Sequence, residues 1–428
     1  MTALNQFLLS AKKAFLQDLV ENKSLNEWVL VTGNEAGDLD SVASSIAYAF
    51  LSHLQNKEAN YIPILLTPAK DLYLRPENML VLDAVNISVD SLLSIDQFDG
   101  ASTIAKRGVQ FVLVDQNTIP MQFLSVENES AGKVLAILDH HVDEKQHADA
   151  NPRVIEPVGS CASLVVSHFY TSTFQAEEAN LHQISLLLLS AILIDTNLVP
   201  TQEGGKATIV DLESAQKTAL FSHDIQTLVR TPNTIALLSQ DKPRKLTKIA
   251  KYLNEVKDSV GHLDGYDLIR RDYKAYQVGF TYGIGTVPIS LEEAWFTKPR
   301  GFAGLIEDCK KWTAQEMIDF VVISTTFNII PDGGKKKDKV HYRELFVYIS
   351  PELSSDKTMV LEESLKVLST RPEIGLQEWK LKMGGVFPLE KNDVRWTIWD
   401  QGNSRATRKV IAPLLKDVLE AVYPKSRY

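Results

Sequence analysis

Cysteine is almost missing from this 428-residue chain: there are two, Cys161 and Cys309, far apart and without metal-type spacing. Their scarcity excludes a disulfide framework and makes a reducing compartment the default. Long apolar runs are missing too. The longest, around Ile184 to Ile194, is too short to cross a bilayer, so no membrane association is expected. Met1 to Val20 is amphipathic and contains no arginine, and it reads as neither a secretory signal nor a mitochondrial presequence. Positive charge is not in excess, with 45 basic against 54 acidic side chains and a net charge of −9. That argues against a binder of duplex nucleic acid, yet leaves anionic substrates open where a local basic pocket or bound cations reverse the field. No internal repeat or low-complexity tract occurs. The remaining composition, 44% apolar and 23% charged, is that of a soluble globular protein of cytoplasmic type, with a monomer favoured and the oligomeric state open.

The length calls for two domains, because single cores rarely grow beyond about 250–300 residues. Leu4 to Leu19 has helical spacing, and Trp28 to Thr32 is a short β-rich run. Ala43 to Leu54 reads as a helix. Tyr61 to Leu66 reads as a strand, which Pro63 places less securely at a sheet centre. Gln110 to Val114 and Val134 to Leu138 are further strands. Gly159 to Ser163 opens a helix through Tyr170, whose first amides and hydroxyls could hold an anion, with Ser160 as a plain cap an equal reading. An apolar helix runs from His182 to Ile194. This alternation predicts an α/β fold, a mostly parallel sheet with helices on both faces. The junction is expected within Thr231 to Lys245, giving domains 1–235 and 236–428. The second is expected to be a smaller α+β domain with a strand at Tyr276–Tyr282, a helix start at Leu291–Trp295 and a helix at Thr313–Asp319. A hairpin of Phe320–Ile329 and Leu345–Ile349 follows around the Lys335–Lys337 run, which reads as a solvated tip, and a last helix spans Arg408–Val422.

The chemistry concentrates in the first half. The strand at Val134–Leu138 empties into Asp139-His140-His141, and strand ends of open α/β sheets are where ligands collect. Asn34, Asp38 and Asp40 follow the first strand, and helix capping accounts for one of these acids but not for all three residues. Asp115 follows the strand Gln110–Val114. Asp195 closes an apolar helix against its dipole, which makes it a candidate ligand, with surface exposure as the alternative. Carboxylates with imidazoles suit magnesium, manganese or cobalt better than a closed thiolate zinc site. Four acids with two histidines favour two ions. Two divalent cations about 3.5–4 Å apart are the recurring device for attack at phosphorus, and one carboxylate must bridge them.

Asn34-x-x-x-Asp38-x-Asp40-Ser41, Val114-Asp115-x-Asn117, Asp139-His140-His141 and Ile194-Asp195-Thr196 resemble, in order, the four motifs of the DHH phosphoesterase superfamily. That set includes family II inorganic pyrophosphatases, eukaryotic cytosolic exopolyphosphatases and prune proteins. Asp272-Tyr273-Lys274, Gly283-Ile284-Gly285 and Thr407-Arg408-Lys409 resemble the basic C-terminal domain of those enzymes, so the resemblance covers nearly the whole chain. It implies a DHH domain and a C-terminal substrate-clamping domain with the active site in the interdomain cleft. It also implies that Asn34, Asp38 and Asp115 hold one metal, while Asp40, Asp115, His140 and Asp195 hold the other, Asp115 bridging. His141, Lys274, Arg408 and Lys409 would hold phosphoryl groups, with Asn117 beside them. Arg395 and Arg405 default to surface charge. Asn34 stands where pyrophosphatases carry histidine, which favours a harder ion such as magnesium. Gln116 replaces a histidine in the second motif and cannot shuttle a proton.

The function implied is a metal-dependent exopolyphosphatase that releases orthophosphate from the end of linear inorganic polyphosphate by attack of a metal-bridging hydroxide. Asp115, His141, Asp38 and Asp40 are its expected catalytic residues. The rival readings are a pyrophosphatase or nucleotide phosphodiesterase on the same site, and a prune-like interaction protein with residual activity. A single-strand nucleic-acid hydrolase is disfavoured, because no aromatic-and-basic stripe lies beside the motifs.

Overall fold

The computed structural model describes residues 2–124, 132–171, 181–221, 242–330, 333–334, 338–382 and 395–422. The lysine run 335–337 and most of the expected junction lie outside the described residues. The chain divides into two compact units, Met1–Ser259 and Val260–Tyr428.

The first unit is a six-stranded sheet, all parallel. Its strands are β1 (Trp28–Thr32), β2 (Asn60–Leu65), β3 (Leu93–Ser94), β4 (Gln110–Val114), β5 (Lys133–Asp139) and β6 (Arg153–Ile155), in the order β3-β2-β1-β4-β5-β6. Pro63 is tolerated because β3 pairs only with Ile64 and Leu65, just past it. All five residues of β1 are buried, as parallel strands covered on both faces require. The period of two sorts their side chains. Val29, Val31, Val112, Val114, Ala136 and Leu138 face one core, whereas Trp28, Leu30, Phe111, Leu113 and Ile137 face the other. An irregularity between Phe111 and Val112 leaves Leu135 as an extra residue of β5 and keeps both faces in phase.

The described residues of this unit form the helices α1 (Ala3–Val20), α2 (Leu39–Gln55), α3 (Pro76–Ala84), the short α4 (Ala101–Ile104), α5 (Cys161–Phe169), α6 (His182–Thr196), α7 (Ile209–Phe221) and α8 (Lys242–Lys257). Helix α6 is apolar all round because it is a central helix, packed by α2, α5, α7 and α8. Each fully buried leucine there contributes about 1.5–3 kcal/mol of transfer free energy. Helix α8 inserts Leu246, Ile249, Ala250 and Leu253 into the same core, so it belongs with the first unit. The second unit therefore starts at Val260, beyond the expected residue 236. Helix α2 begins at Leu39 rather than Ala43, and its cap is Asp38, not Asp40 or Ser41.

The second unit holds a six-stranded sheet, ordered β13-β14-β12-β9-β8-β7, and a two-stranded ribbon of β10 and β11. These are β7 (Tyr273–Val278), β8 (Phe280–Val287), β9 (Phe320–Thr325), β10 (Phe327–Ile329), β11 (Val340–Tyr342), β12 (Glu344–Ile349), β13 (Leu376–Glu378) and β14 (Trp396–Gln401). Among its described strands only β8 and β9 pair in parallel. Helices Ser355–Ser369 and Arg408–Val422 cover one face; Gly265–Arg271 and Gly301–Gln315 cover the other. The expected strand Tyr276–Tyr282 is a hairpin, reversed at Gly279 with φ of 60°. So tight a turn leaves the apolar alternation unbroken, and Tyr276 stacks on Tyr282 across it. The helix expected at Thr313–Asp319 ends at Gln315, because Met317 takes φ of 51°. The expected strand Phe320–Ile329 breaks at Thr326 into β9 and β10.

Candidate active site

In the order β3-β2-β1-β4-β5-β6 the chain reverses its direction of growth between β1 and β4, so a crevice opens at the carboxyl ends of those two strands. Asn34 stands on one side and Asp115 on the other. Asn34 Nδ2 donates to Asp115 Oδ2 at 2.7 Å and to the Asp115 carbonyl at 3.1 Å. The Asn34 Oδ1 accepts from Ala36 N at 2.9 Å, so its nitrogen rather than its oxygen faces the acid. Gly33 lets the loop lie against α2, since a Cβ there would meet Ser41 Cβ at 2.5 Å. That approach brings Ser41 Oγ to 2.6 Å from Asp115 Oδ2. Gln116 bridges the same crevice, its Nε2 donating to the carbonyls of Thr32 and Gly33.

Asp115 is buried and holds φ of 57°, a left-handed conformation that costs a non-glycine residue of order 1–3 kcal/mol and clusters at functional sites. Its backbone N–H bonds Leu138 O and Cys161 Sγ, which hold it in place. Its Oδ1 lies 3.2 Å from His140 Nε2 and 3.6 Å from His141 Nδ1. His140 Nδ1 donates to Val158 O at 3.1 Å, which leaves Nε2 with its lone pair toward Asp115. Two acceptors at 3.2 Å call for a proton or a cation between them. The ligand atoms of Asp115, His140 and His141 all lie within 4.8 Å of one another, and this donor set fits one divalent cation.

Asp139 was not among the expected site residues, yet it organises this cluster. It is fully buried, and its Oδ1 accepts from His140 N, His141 N and His141 Nδ1, the last at 2.8 Å. Its other oxygen accepts from Asn117. Asn117 in turn bonds Val142 O and Glu144 N, so its amide ties down the Asp139–Glu144 loop instead of facing open space.

Asp40 sits deeper. Its carboxylate accepts from Cys161 N at 2.7 Å, Ala162 N at 2.8 Å and Ser160 Oγ at 2.8 Å, and His140 Nε2 is 4.0 Å away. It therefore closes the start of α5, beside Asp211, which accepts from Gly159 N, Ser160 N and Ser163 Oγ. Neither alternative at Gly159–Ser163 is met as such: the amides that could hold an anion are taken by the chain's own Asp40 and Asp211, and Ser160 donates its hydroxyl to Asp40 instead of capping the helix. Asp211 carried no sequence signal, since it lies on a separate helix. Burial first, then the Asp115 and Asp195 carboxylates, pushes Asp40 well above the usual carboxylate range. Burial likewise raises Asp195, against the opposing charge of Lys257, and Asp38 and His140 act on it electrostatically. Asp38, as the cap of α2, accepts from Ser41 N at 3.1 Å. Asp40 and Asp195 thus feel the charges of neighbouring acids and of His140, and a bound cation would offset the repulsion among the acids. Cys161 takes no part as a ligand: burial pushes its thiol up, and its Sγ donates to Leu138 O.

In the second unit Lys274 lies on edge strand β7, paired with Ile284. Arg408 Nη1 donates to the Asp272 carbonyl at 2.8 Å and reaches Ile284 O at 3.4 Å, while Nη2 meets Asp272 Oδ1 at 2.9 Å. Lys274 and Arg408 are thereby brought to one end of the β7–β8 hairpin, and Lys409 follows, exposed. Gly283 and Gly285 are packing residues. A Cβ at the first would strike the Tyr273 hydroxyl oxygen at 2.0 Å and at the second Ile269 O at 2.5 Å. Arg395 bonds Ser350 O, and Arg405 is exposed.

The model of the DHH family, N-terminal domain, matches residues 28–192, and that of the DHHA2 domain matches 251–418. The chain is 30% identical over 407 residues to a putative exopolyphosphatase of Schizosaccharomyces pombe, covering 92% of each. It is 27% identical over 420 residues to exopolyphosphatase PRUNE1 of Rattus norvegicus, covering 96% of this chain and 80% of that one. The crystal structure of a putative family II inorganic pyrophosphatase from Methanococcus jannaschii shares the fold with a TM-score of 0.54. Its identity is 19%, and the match covers 92% of this chain and 99% of that one.

Proposed function

Because the chain belongs to the DHH family and carries its DHHA2 domain, we propose that it is a divalent-metal-dependent exopolyphosphatase. Its substrate is linear inorganic polyphosphate, and its product is orthophosphate from the chain end. The observation that carries this reading is the meeting of Asp115, His140 and His141 at the sheet's switch point, in a chain alike over its length to exopolyphosphatases.

Asp115, His140, Asp40 and Asp195 would hold one cation, and Asp115 with Asp38 a second. Asn34 keeps Asp115 in place through its amide nitrogen. When bound, magnesium, manganese or cobalt supplies charge neutralisation at phosphorus and eases deprotonation of the attacking water. The chain's own part is positioning. Asp139 fixes the His141 ring through Nδ1, so of the three clustered residues Asp115 and His140 would hold the cation and His141 would meet a phosphoryl oxygen through Nε2. Lys274, Arg408 and Lys409 offer a point charge, a planar fork and a second point charge to the terminal groups. Asp272 holds Arg408 in one orientation.

The test is phosphate release from pyrophosphate, tripolyphosphate, long-chain polyphosphate and a cyclic nucleotide, with magnesium, manganese or cobalt restored after chelation. Release that needs the cation and runs fastest on tripolyphosphate or longer chains is expected. Preference for pyrophosphate or the cyclic nucleotide would replace the reading with the corresponding hydrolase, and no release from any of them would leave an interaction protein.

A further inference from the structure

The Asp195 end of the acid cluster opens into a concavity lined by Asp195, Lys206, Asn254 and Lys257, all in the first unit. None of the three non-acidic residues belongs to the motifs described above. Lys257 ends α8, and its Nζ lies 3.9 Å from Asp195 Oδ1. The position is fixed rather than incidental. One turn earlier Asn254 Nδ2 donates to Ile194 O at 3.1 Å and to Asn197 Oδ1 at 3.0 Å, pinning α8 to the end of α6 where Asp195 sits. Leu253 and Ala250 are fully buried behind it. Burial works against the Lys257 ammonium, but Asp195, Glu77 and Asp38 outweigh it and hold it above the usual lysine value. Arg75, already paired with Glu77 at 3.3 Å, opposes them.

Lys206 approaches from a tight loop. Gly205 N bonds Pro200 O and Ala207 N bonds Val199 O; a Cβ at Gly205 would strike Val199 O at 2.0 Å. The exposed Lys206 also acts on the Asp195 charge. Lys257, at 3.9 Å, and Lys206 therefore line one concavity with the Asp195 carboxylate. A divalent cation on that carboxylate would set Lys257 and Lys206 beside another positive charge, which an arriving polyanion would offset.

We propose that Lys257 exchanges partners: it neutralises Asp195 in the metal-free protein and turns, with Lys206, to a phosphoryl group of the substrate once a divalent cation takes up that carboxylate. The subsite rests on the exopolyphosphatase reading and adds to it an order of events, cation before polyanion. It takes tetrahedral oxyanions linked in a chain, beyond the group that is cleaved.

Two titrations on the full chain test this, with Lys257→Gln and, as a control on the same helix, Lys251→Gln, whose exposed partner is Glu255. Magnesium binding by calorimetry should tighten about five- to tenfold in Lys257→Gln, since a competing charge is gone. Binding of non-hydrolysable imidotriphosphate to the magnesium-loaded protein should weaken about tenfold. Lys251→Gln should change neither. Unchanged magnesium affinity or unchanged analogue affinity in Lys257→Gln overturns the exchange, while hydrolysis of tripolyphosphate by the unaltered chain would still uphold the exopolyphosphatase reading. If the unaltered chain neither binds the analogue nor hydrolyses tripolyphosphate, that reading fails and the subsite with it.

Discussion

The two units present opposite chemistry on opposite kinds of sheet. In the first, every described strand is parallel, so their carboxyl ends lie along one edge. Asn34, Asp115 and His140, far apart in the chain, meet there because β1, β4 and β5 are neighbours. In the second, most pairs are antiparallel and strand ends alternate between edges. Its cations are gathered instead by one hairpin and one helix start, with Ile284 as the common partner of Lys274 and Arg408. Acids that must share a cation need a rigid common edge. Basic residues that clamp a polyanion can come from an edge strand and a helix start, where long side chains reach.

The largest effect that sharpens this contrast is expected from Asp115→Asn. Asparagine tolerates the left-handed backbone, keeps an acceptor for Asn34 and Ser41, and offers His140 Nε2 a donor. Turnover should fall by about 10³-fold or more, while the melting temperature stays near that of the parent chain. A large loss of stability would make Asp115 structural instead. Next comes Asp40→Asn, whose amide would point a donor at the amides of Cys161 and Ala162. Both turnover and stability should drop, the latter by about 1–3 kcal/mol in denaturant unfolding. Activity loss without destabilisation would show that Asp40 does not carry the start of α5. The smallest effect belongs to the second unit. Arg408→Gln should raise KM for polyphosphate about tenfold and cost under ~1 kcal/mol of stability, since its partner Asp272 is partly exposed. An unaltered KM would remove Arg408 from the clamp.

The same difference in topology explains what the sequence disclosed. Buried parallel strands are continuous apolar runs, so β1, β4 and β5 and the polar residues that follow them stand out. Pairings across the sheet do not. Nothing local announced that Asp40 would close α5 together with Asp211, 171 positions further along. Asp139 was legible as a motif letter, but its work on His141 and Asn117 needs coordinates. Asn34 was legible as a site residue, and which of its amide atoms faces Asp115 was not. In the second unit the turn at Gly279 was invisible because residues on either side continue one alternation. The helix Gly301–Gln315 was displaced toward its C-terminus, because Met317 ends it through a backbone reversal that its side chain does not advertise.

Everything assigned to the first unit turns on cations held at Asp115 with the two imidazoles beside it. The direct measurement is manganese bound per chain at equilibrium, read by electron paramagnetic resonance after chelation, for the parent protein and for Asp115→Asn. The account predicts two tight equivalents in the parent and at most one, bound far more weakly, in the variant. A parent chain that takes up no manganese, or a variant that holds as much as tightly, would contradict it.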